Sequence, residues 1–292
     1  MDAKLKIEKL AVIGVGLIGG SFGLALKRAK AVRKVVGVGR SRKNLAIALK
    51  MGLIDEACGD PARAVADADL VLLAIPVGGI AELMARIAPH LSAHAVITDG
   101  GSTKQDVVAH ARRFLGVHFS RFVPAHPIAG TEKSGAAAAF VDLYRDRTVI
   151  ITPEPETAVR AVRVARAAWQ RCGARVVQMR APDHDAIFAA VSHLPHVLAF
   201  TLVNALTRRP DARKLFSFAG SGLRDTVRIA GSSPEMWRDV CIANRELLLS
   251  ALDGFVGELD GVRAAIEASD GAALQRMFER ARAARSRWLV GE

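Results

Sequence analysis

His126 lies between two prolines in Pro124-Ala125-His126-Pro127-Ile128-Ala129-Gly130-Thr131-Glu132, where a restricted backbone holds its imidazole rigidly. Imidazole exchanges its proton near neutral pH, so this residue is a candidate general base, with a structural histidine as the plain alternative. A second cluster, Ser192-His193-Leu194-Pro195-His196, places two histidines three residues apart on one face of an otherwise apolar helix. A metal pair would need a third ligand, and none stands at suitable spacing; buried, hydrogen-bonded histidines are the commoner outcome. Pro195 removes a backbone bond and predicts a bend at that point. Arg224 and Arg228, in Gly222-Leu223-Arg224-Asp225-Thr226-Val227-Arg228-Ile229-Ala230, are free to clamp an anion or to remain solvated.

Another chemistry is written into Val12-Ile13-Gly14-Val15-Gly16-Leu17-Ile18-Gly19-Gly20, an apolar run that ends in Gly-x-Gly-x-x-Gly and opens a helical pattern. Gly14 permits the tight turn, Gly16 lets a pyrophosphate approach the backbone, and Gly19 lets the helix pack close to the strand. The free N–H groups and dipole of the new helix then hold the phosphates. A user of NAD carries a carboxylate roughly 20 residues farther on for the ribose hydroxyl. Here no Asp or Glu occurs between Gly20 and Gly52, and the second strand ends in Arg40-Ser41-Arg42-Lys43. Cations and a hydroxyl suit a 2′-phosphate, so NADP is expected in preference to NAD. The expected cofactor residues are Gly14, Gly16, Leu17, Ile18, Gly19, Arg40, Ser41, Arg42, Ile75, Pro76 and Ser102.

The elements that must position these groups alternate. Val35–Gly39, Asp69–Pro76, Ala95–Asp99, Arg121–His126, Thr148–Thr152 and Arg175–Met179 read as strands, with helices around 45–50, 80–87 and 155–172 between them. That order predicts an α/β Rossmann-type, doubly wound parallel sheet, whose ligands sit beyond the C-terminal strand ends. The Gly14 turn, Arg40, Pro76, Ser102 and His126 all fall on that edge. No strand is evident after Met179: a long helix is expected over Asp183–Leu206, and Ser233-Pro234-Glu235 reads as a helix start with Ser233 as N-cap. The expected domains are therefore 1–180, binding the dinucleotide, and an all-α domain, 181–292.

Length and composition bound the rest. At 292 residues two domains are natural, and 51% hydrophobic content with 24% charge describes a globular chain. The formal charge of +12 comes from arginines scattered along Ala-rich helices, without a DNA-reading motif or an aromatic-interleaved basic strip. It predicts solvated basic faces and attraction for small anions, with no nucleic-acid partner. No uninterrupted apolar run long enough for a bilayer and no secretory leader are seen, so no membrane partner and a cytoplasmic location are expected. Cys58, Cys172 and Cys241 are scattered and odd in number, which suits reduced, packed thiols and no metal site.

In sequence, Gly14-x-Gly16-x-x-Gly19-Gly20-Ser21, Asp99-Gly100-Gly101-Ser102-Thr103-Lys104, His126-Pro127-Ile128-Ala129-Gly130-Thr131-Glu132, Ser192-His193-Leu194-Pro195-His196, Thr226-Val227-Arg228-Ile229-Ala230 and Met236-Trp237-Arg238-Asp239 follow one another. Together they resemble the prephenate/arogenate dehydrogenase family of tyrosine biosynthesis, over about Lys9 to Asp253. The resemblance implies NAD(P)-dependent oxidative decarboxylation of a cyclohexadienol, prephenate or arogenate. It assigns His126 as the acceptor of the C4 hydroxyl proton and Ser102 as the group orienting that hydroxyl and the histidine. It further implies that Arg228 grips a substrate carboxylate, that His196 and His193 belong to the substrate site, and that Glu132 is a gating acid. The helical domain corresponds to the family's dimerisation domain, so a homodimer is expected. With no separate regulatory domain in view, any inhibition by tyrosine is expected at the active site. A 3-hydroxyacid dehydrogenase or imine reductase shares this layout, but the former uses a Lys after the junction, and 181–208 contains none. A dinucleotide-sensing protein without activity would not need His126, Ser102 and Arg228 to converge.

Overall fold

The computed structural model describes residues 5–131 and 133–290. Six strands, β1 (Ile7–Ile13), β2 (Val32–Val38), β3 (Glu56–Cys58), β4 (Leu70–Leu73), β5 (Val96–Asp99) and β6 (Phe122–Val123), form a parallel sheet in the order β3-β2-β1-β4-β5-β6. Ala11 of β1 lies opposite both Val36 of β2 and Val71 of β4. The winding reverses between β1 and β4, which opens a crevice at their C-terminal ends.

Alternation along β1 divides the core into two layers. Leu10 and Val12 join Phe22 and Leu26 of α1 (Leu17–Arg28) and Trp169 of α6 (Val159–Arg171). Ala11 and Ile13 join Val65 of α3 (Pro61–Val65), Met84 of α4 (Ile80–Ile87) and Val107 of α5 (Gln105–Phe114). Between β2 and β3 runs α2 (Arg42–Lys50), started by the Ser41 hydroxyl, which accepts from the Asn44 N–H.

The expected single parallel sheet needs one correction. Arg121–His126 is two strands, because Pro124 has no N–H to continue a ladder. β6 ends the first sheet at Val123; β7 (Ala125–Pro127) starts a second sheet, antiparallel to β8 (Thr148–Ile151), which in turn runs parallel to β9 (Arg175–Gln178). His126 therefore sits in mid-strand, opposite Ile150, rather than beyond the end of a parallel strand.

The remaining elements are helical: α7 (Ala181–Phe188), α8 (Leu194–Thr207), α9 (Ala212–Ser217), α10 (Ser221–Val227), α11 (Pro234–Ala243), α12 (Arg245–Glu267) and α13 (Gly271–Val290). α7 and α8 are one helix of 27 residues joined through a π-helical stretch, Ala189–His193. The ring of Pro195 displaces the carbonyl four residues earlier, so the distortion falls in the turn before the proline rather than at it. By length and composition this helix is apolar enough to cross a bilayer. It nevertheless carries His184, Asp185 and His193, all buried within the protein. Ser233 caps α11 by accepting from the Met236 N–H. Two compact units are distinguished, one ending at Arg245 and the other covering 246–292.

Candidate functional site

The turn after β1 has the shape its glycines predict. Gly14 has φ +100°, and a Cβ there would lie 2.1 Å from the Ala74 carbonyl oxygen. A Cβ on Gly19 would lie 2.2 Å from the Gly14 oxygen and 2.7 Å from Val12. Gly16 differs, with nothing within 4 Å of where its Cβ would stand. α1 opens at Leu17 and Ile18 with no side-chain cap and no acid in its first turn. An open backbone approach to an uncapped helix N-terminus fits a pyrophosphate. Ile75 packs against the Gly14 turn, its Cγ2 3.0 Å from the same built Cβ, and Pro76 follows it beyond β4. Asn44 secures the turn from α2, donating to the Val15 carbonyl at 2.6 Å and accepting from the Ala136 N–H at 2.8 Å.

Arg40, Ser41 and Arg42 stand exposed at the C-terminal end of β2. Ser41 is committed to capping α2, and Arg40 reaches Glu235 at 3.7 Å. Two cations, Arg40 and Arg42, thus stand together at the end of β2, with one acid from α11, Glu235, beside Arg40.

Among the expected substrate residues, His126, His196 and Arg228 line one cavity of about 530 Å³, together with Phe188 and Trp237. His196 is set by two contacts. Its Nδ1 lies 2.9 Å from the Ser192 carbonyl, and its ring stacks on Trp237 with centroids 3.6 Å apart. The carbonyl contact makes Nδ1 the protonated nitrogen, which leaves Nε2 as an acceptor. Burial lowers the pKa of His196, as does the nearby Arg228 charge, against the Ser192 bond. Arg228 forms no ion pair among the described residues, so its guanidinium is open to an anion.

His193 is not brought to that cavity lining. It is fully buried, with its Nδ1 3.1 Å from the Asn244 amide nitrogen. Burial holds its pKa near 4. The π-helical stretch ends at His193, and its ring approaches Trp237 at 6.1 Å, behind the His196 stack. Ser102 lies in the loop after β5, its hydroxyl without a hydrogen bond among the described residues and not on the cavity lining. Glu132 lies outside the described residues.

His126 belongs to a network that the sequence does not announce. Its Nδ1 is 2.8 Å from Nε2 of His184, whose Nδ1 is 2.8 Å from Oδ1 of Asp185. Asp185 also accepts the backbone N–H groups of Lys104 and Gln105, each at 2.8 Å. Lys104 is fully buried, donating to the Asp99 carboxylate and to the Ala125 carbonyl. Asp99 in turn accepts from the Ala125 N–H at 2.8 Å. One buried ion pair thus fixes both backbone groups of the residue preceding His126. Burial pushes the His126 pKa well below its ordinary value, helped by His184, Lys104 and His193. The ring is accordingly neutral and able to accept a proton. Burial raises the Asp185 carboxyl, but the His184, Gln105 and Lys104 bonds outweigh it and hold the pKa below the usual range. The only trace in the sequence is an acid–histidine–acid triplet, Asp183-His184-Asp185, opening a helix that is otherwise apolar.

Comparison with known proteins identifies the family to which the chain is similar. Residues 22–178 match a family model described as the nucleotide-binding domain of prephenate dehydrogenase, and 180–280 match the dimerization domain of the same enzyme. A cyclohexadienyl dehydrogenase from Zymomonas mobilis is 35% identical over 95% of this chain and 95% of its own length. The structure of prephenate dehydrogenase from Aquifex aeolicus, in complex with hydroxyphenyl propionate and NAD+, superposes with a TM-score of 0.90 at 34% identity, covering 97% of this chain and 99% of that one. An arogenate dehydrogenase from Synechocystis superposes with a TM-score of 0.78 at 28% identity, covering 96% and 99%.

Proposed function

Because the chain belongs to the prephenate dehydrogenase family, we propose that it oxidatively decarboxylates prephenate, arogenate or both to the corresponding phenol, as a step of tyrosine biosynthesis. The observation that carries this reading is one cavity lined by His126, His196 and Arg228. The substrate ring bears a hydroxyl and a hydrogen at C4 and a carboxylate at C1. His126 accepts the hydroxyl proton as the C4 hydrogen leaves with its electron pair. Loss of the C1 carboxylate as CO2 then delivers its electron pair through the ring to the oxygen, giving an aromatic phenolate that takes the proton back from His126, and aromatisation makes the step effectively irreversible. When bound, the nicotinamide supplies the hydride acceptor. Ser102 is assigned to orient the hydroxyl through a bond that forms with substrate. Arg228 holds a carboxylate by a charge-assisted bond, and His196 offers its free Nε2 to a substrate donor. Glu132 is assigned as the gating acid. With the base and the anion clamp fixed, the protein's task is positioning and proton removal.

NADP is the cofactor we propose, with NAD as the lesser one. The cations Arg40 and Arg42 and the absence of any acid between Gly20 and Gly52 support it. A cytoplasmic homodimer, joined through an all-α domain that begins at residue 181, completes the proposal; the matched dimerization-domain description and the sparsely buried apolar helix 181–207 support it. The test is direct. Purified protein is supplied with prephenate or arogenate and NAD+ or NADP+ while reduced nicotinamide is followed by absorbance. Turnover with at least one substrate and a higher kcat/KM for NADP+ are expected. No turnover with either substrate removes the assignment, and a clear NAD+ preference removes the cofactor proposal.

A further inference from the structure

The chain of contacts from Asp185 to His126 dictates which ring nitrogen carries each proton. Asp185 faces three donors: the Lys104 and Gln105 N–H groups at the start of α5, and Nδ1 of His184. A group receiving two backbone N–H bonds at a helix N-terminus is a carboxylate, which only accepts. His184 Nδ1 therefore carries its proton. The same ring is fully buried near the Lys104 ammonium, and burial lowers its pKa despite Asp185. It is neutral, so its Nε2 is a bare lone pair. A contact of 2.8 Å between that lone pair and His126 Nδ1 is a hydrogen bond only if His126 Nδ1–H donates. In a neutral ring the remaining nitrogen, Nε2 of His126, is then unprotonated. That nitrogen has no hydrogen bond among the described residues, and His126 lines the cavity.

We propose that His184 and Asp185 are positioning residues that lock His126 in its Nδ1–H tautomer, so that Nε2 stands ready as the base toward the cavity. The inference rests on the reading of His126 as the proton acceptor. A free imidazole favours the opposite tautomer, so the lock works against the intrinsic preference of the ring. It is anchored on α5: helix formation over Gln105–Phe114 leaves its first N–H groups without carbonyl partners, and Asp185 takes two of them. Among the described residues, the charged and titratable groups packed against His126 on the protein side are His184 and Asp185 on α7, His193 in the π-helical stretch, Lys104 before α5 and Asp99 at the end of β5, while His196, Arg228, Asp142, Arg145 and Arg147 share the cavity it lines. Of these, only His184 contacts a ring nitrogen of His126.

The decisive measurement needs neither substrate nor turnover. Protein labelled with 15N at histidine is examined at pH 7.5 by long-range 1H–15N correlation, with His126 assigned by its loss in His126→Asn. The Nδ1–H pattern is expected for His126; the Nε2–H pattern, or a doubly protonated ring, overturns the proposal. In His184→Phe, where the new ring keeps the stack on Phe188 now formed at 4.5 Å, the tautomer bias of His126 is expected to disappear. For kinetics, kcat should fall about 10- to 100-fold in that variant, less than the roughly 10²–10⁴ that loss of the general base itself would cost, while KM changes less than about threefold. His184→Gln, whose amide can donate to Asp185 and accept from His126, should recover most of the loss. Unchanged kcat in His184→Phe overturns the positioning role. If that variant does not fold, the tautomer of the unmodified protein decides. An inactive protein with His126 in the Nδ1–H form would instead count against the assigned reaction and leave the lock standing.

Discussion

Gly16 is the position where the demands of the fold and of the ligand separate. At Gly14 and Gly19 an added methyl collides with backbone oxygens at 2.1 and 2.2 Å, so those glycines are required whether or not a dinucleotide binds. At Gly16 nothing lies within 4 Å, and the backbone, at φ −112°, is open to any residue. Gly16→Ala should therefore leave the unliganded protein as stable as before. Reduced freedom of the unfolded chain even favours it by about 0.4–1 kcal/mol. The methyl nevertheless occupies the approach to the N-terminus of α1, which fits a pyrophosphate. Loss of one charge-assisted hydrogen bond there costs about 1.5–3 kcal/mol. At about 1.4 kcal/mol per decade, that weakens binding roughly 10- to 150-fold. Calorimetric titration with NAD+ and NADP+ reads the binding, and thermal unfolding without cofactor reads the fold. Gly19→Ala serves as the contrast and should lose both stability and binding. Undiminished affinity in Gly16→Ala, or a lowered melting temperature without cofactor, would refute the argument that this glycine is there for the ligand.

Three further outcomes follow from the cavity and its surroundings. His126→Asn should lower kcat by about 10²–10⁴, the usual contribution of a general base, while dissociation constants for NAD(P)+ stay within about twofold; turnover near the unmodified level would take the proton-acceptor role away from it. Arg228→Ala should raise KM about 10- to 150-fold through loss of a charge-assisted bond, with a smaller change in kcat, and an unaltered KM would place the substrate carboxylate elsewhere. His193, held near pKa 4 by burial against an ordinary 6.5, is favoured neutral in the fold. Its contribution to stability is complete above about pH 6.5 and is lost as pH falls toward 4, by about 3 kcal/mol in all at about 1.4 kcal/mol per pH unit. Urea titrations at pH 7.5 and 4.5 should show a smaller acid loss in His193→Gln than in the unmodified protein; equal losses would argue against this burial effect.

What the sequence disclosed, and what it withheld, divides by distance along the chain. The Gly14 turn, the Ser233 cap and strands β1, β2, β4 and β5 are local: their residues meet within one turn or one strand, so periodicity and turn chemistry suffice to find them, whereas the three residues of β3 are too few to carry a pattern. The second sheet escaped because its defining event is a missing N–H at Pro124, after which β7 pairs antiparallel with a strand more than twenty residues away. The place of the π-helical stretch escaped similarly, since Pro195 announces a distortion but not the side on which the helix absorbs it. His126 itself was legible from its flanking prolines, yet its partner His184 stands 58 residues farther along the chain and looks, in sequence, like an ordinary polar residue at a helix start. The difference matters for chemistry. A local pattern can say where an imidazole will be held, because rigidity comes from neighbours in the chain. Which of its nitrogens bears the proton depends on an acceptor supplied by α7 and on the N-terminus of α5 that fixes the charge of Asp185. The identity of the base is thus a property of the sequence near residue 126, whereas its readiness to act is a property of the fold.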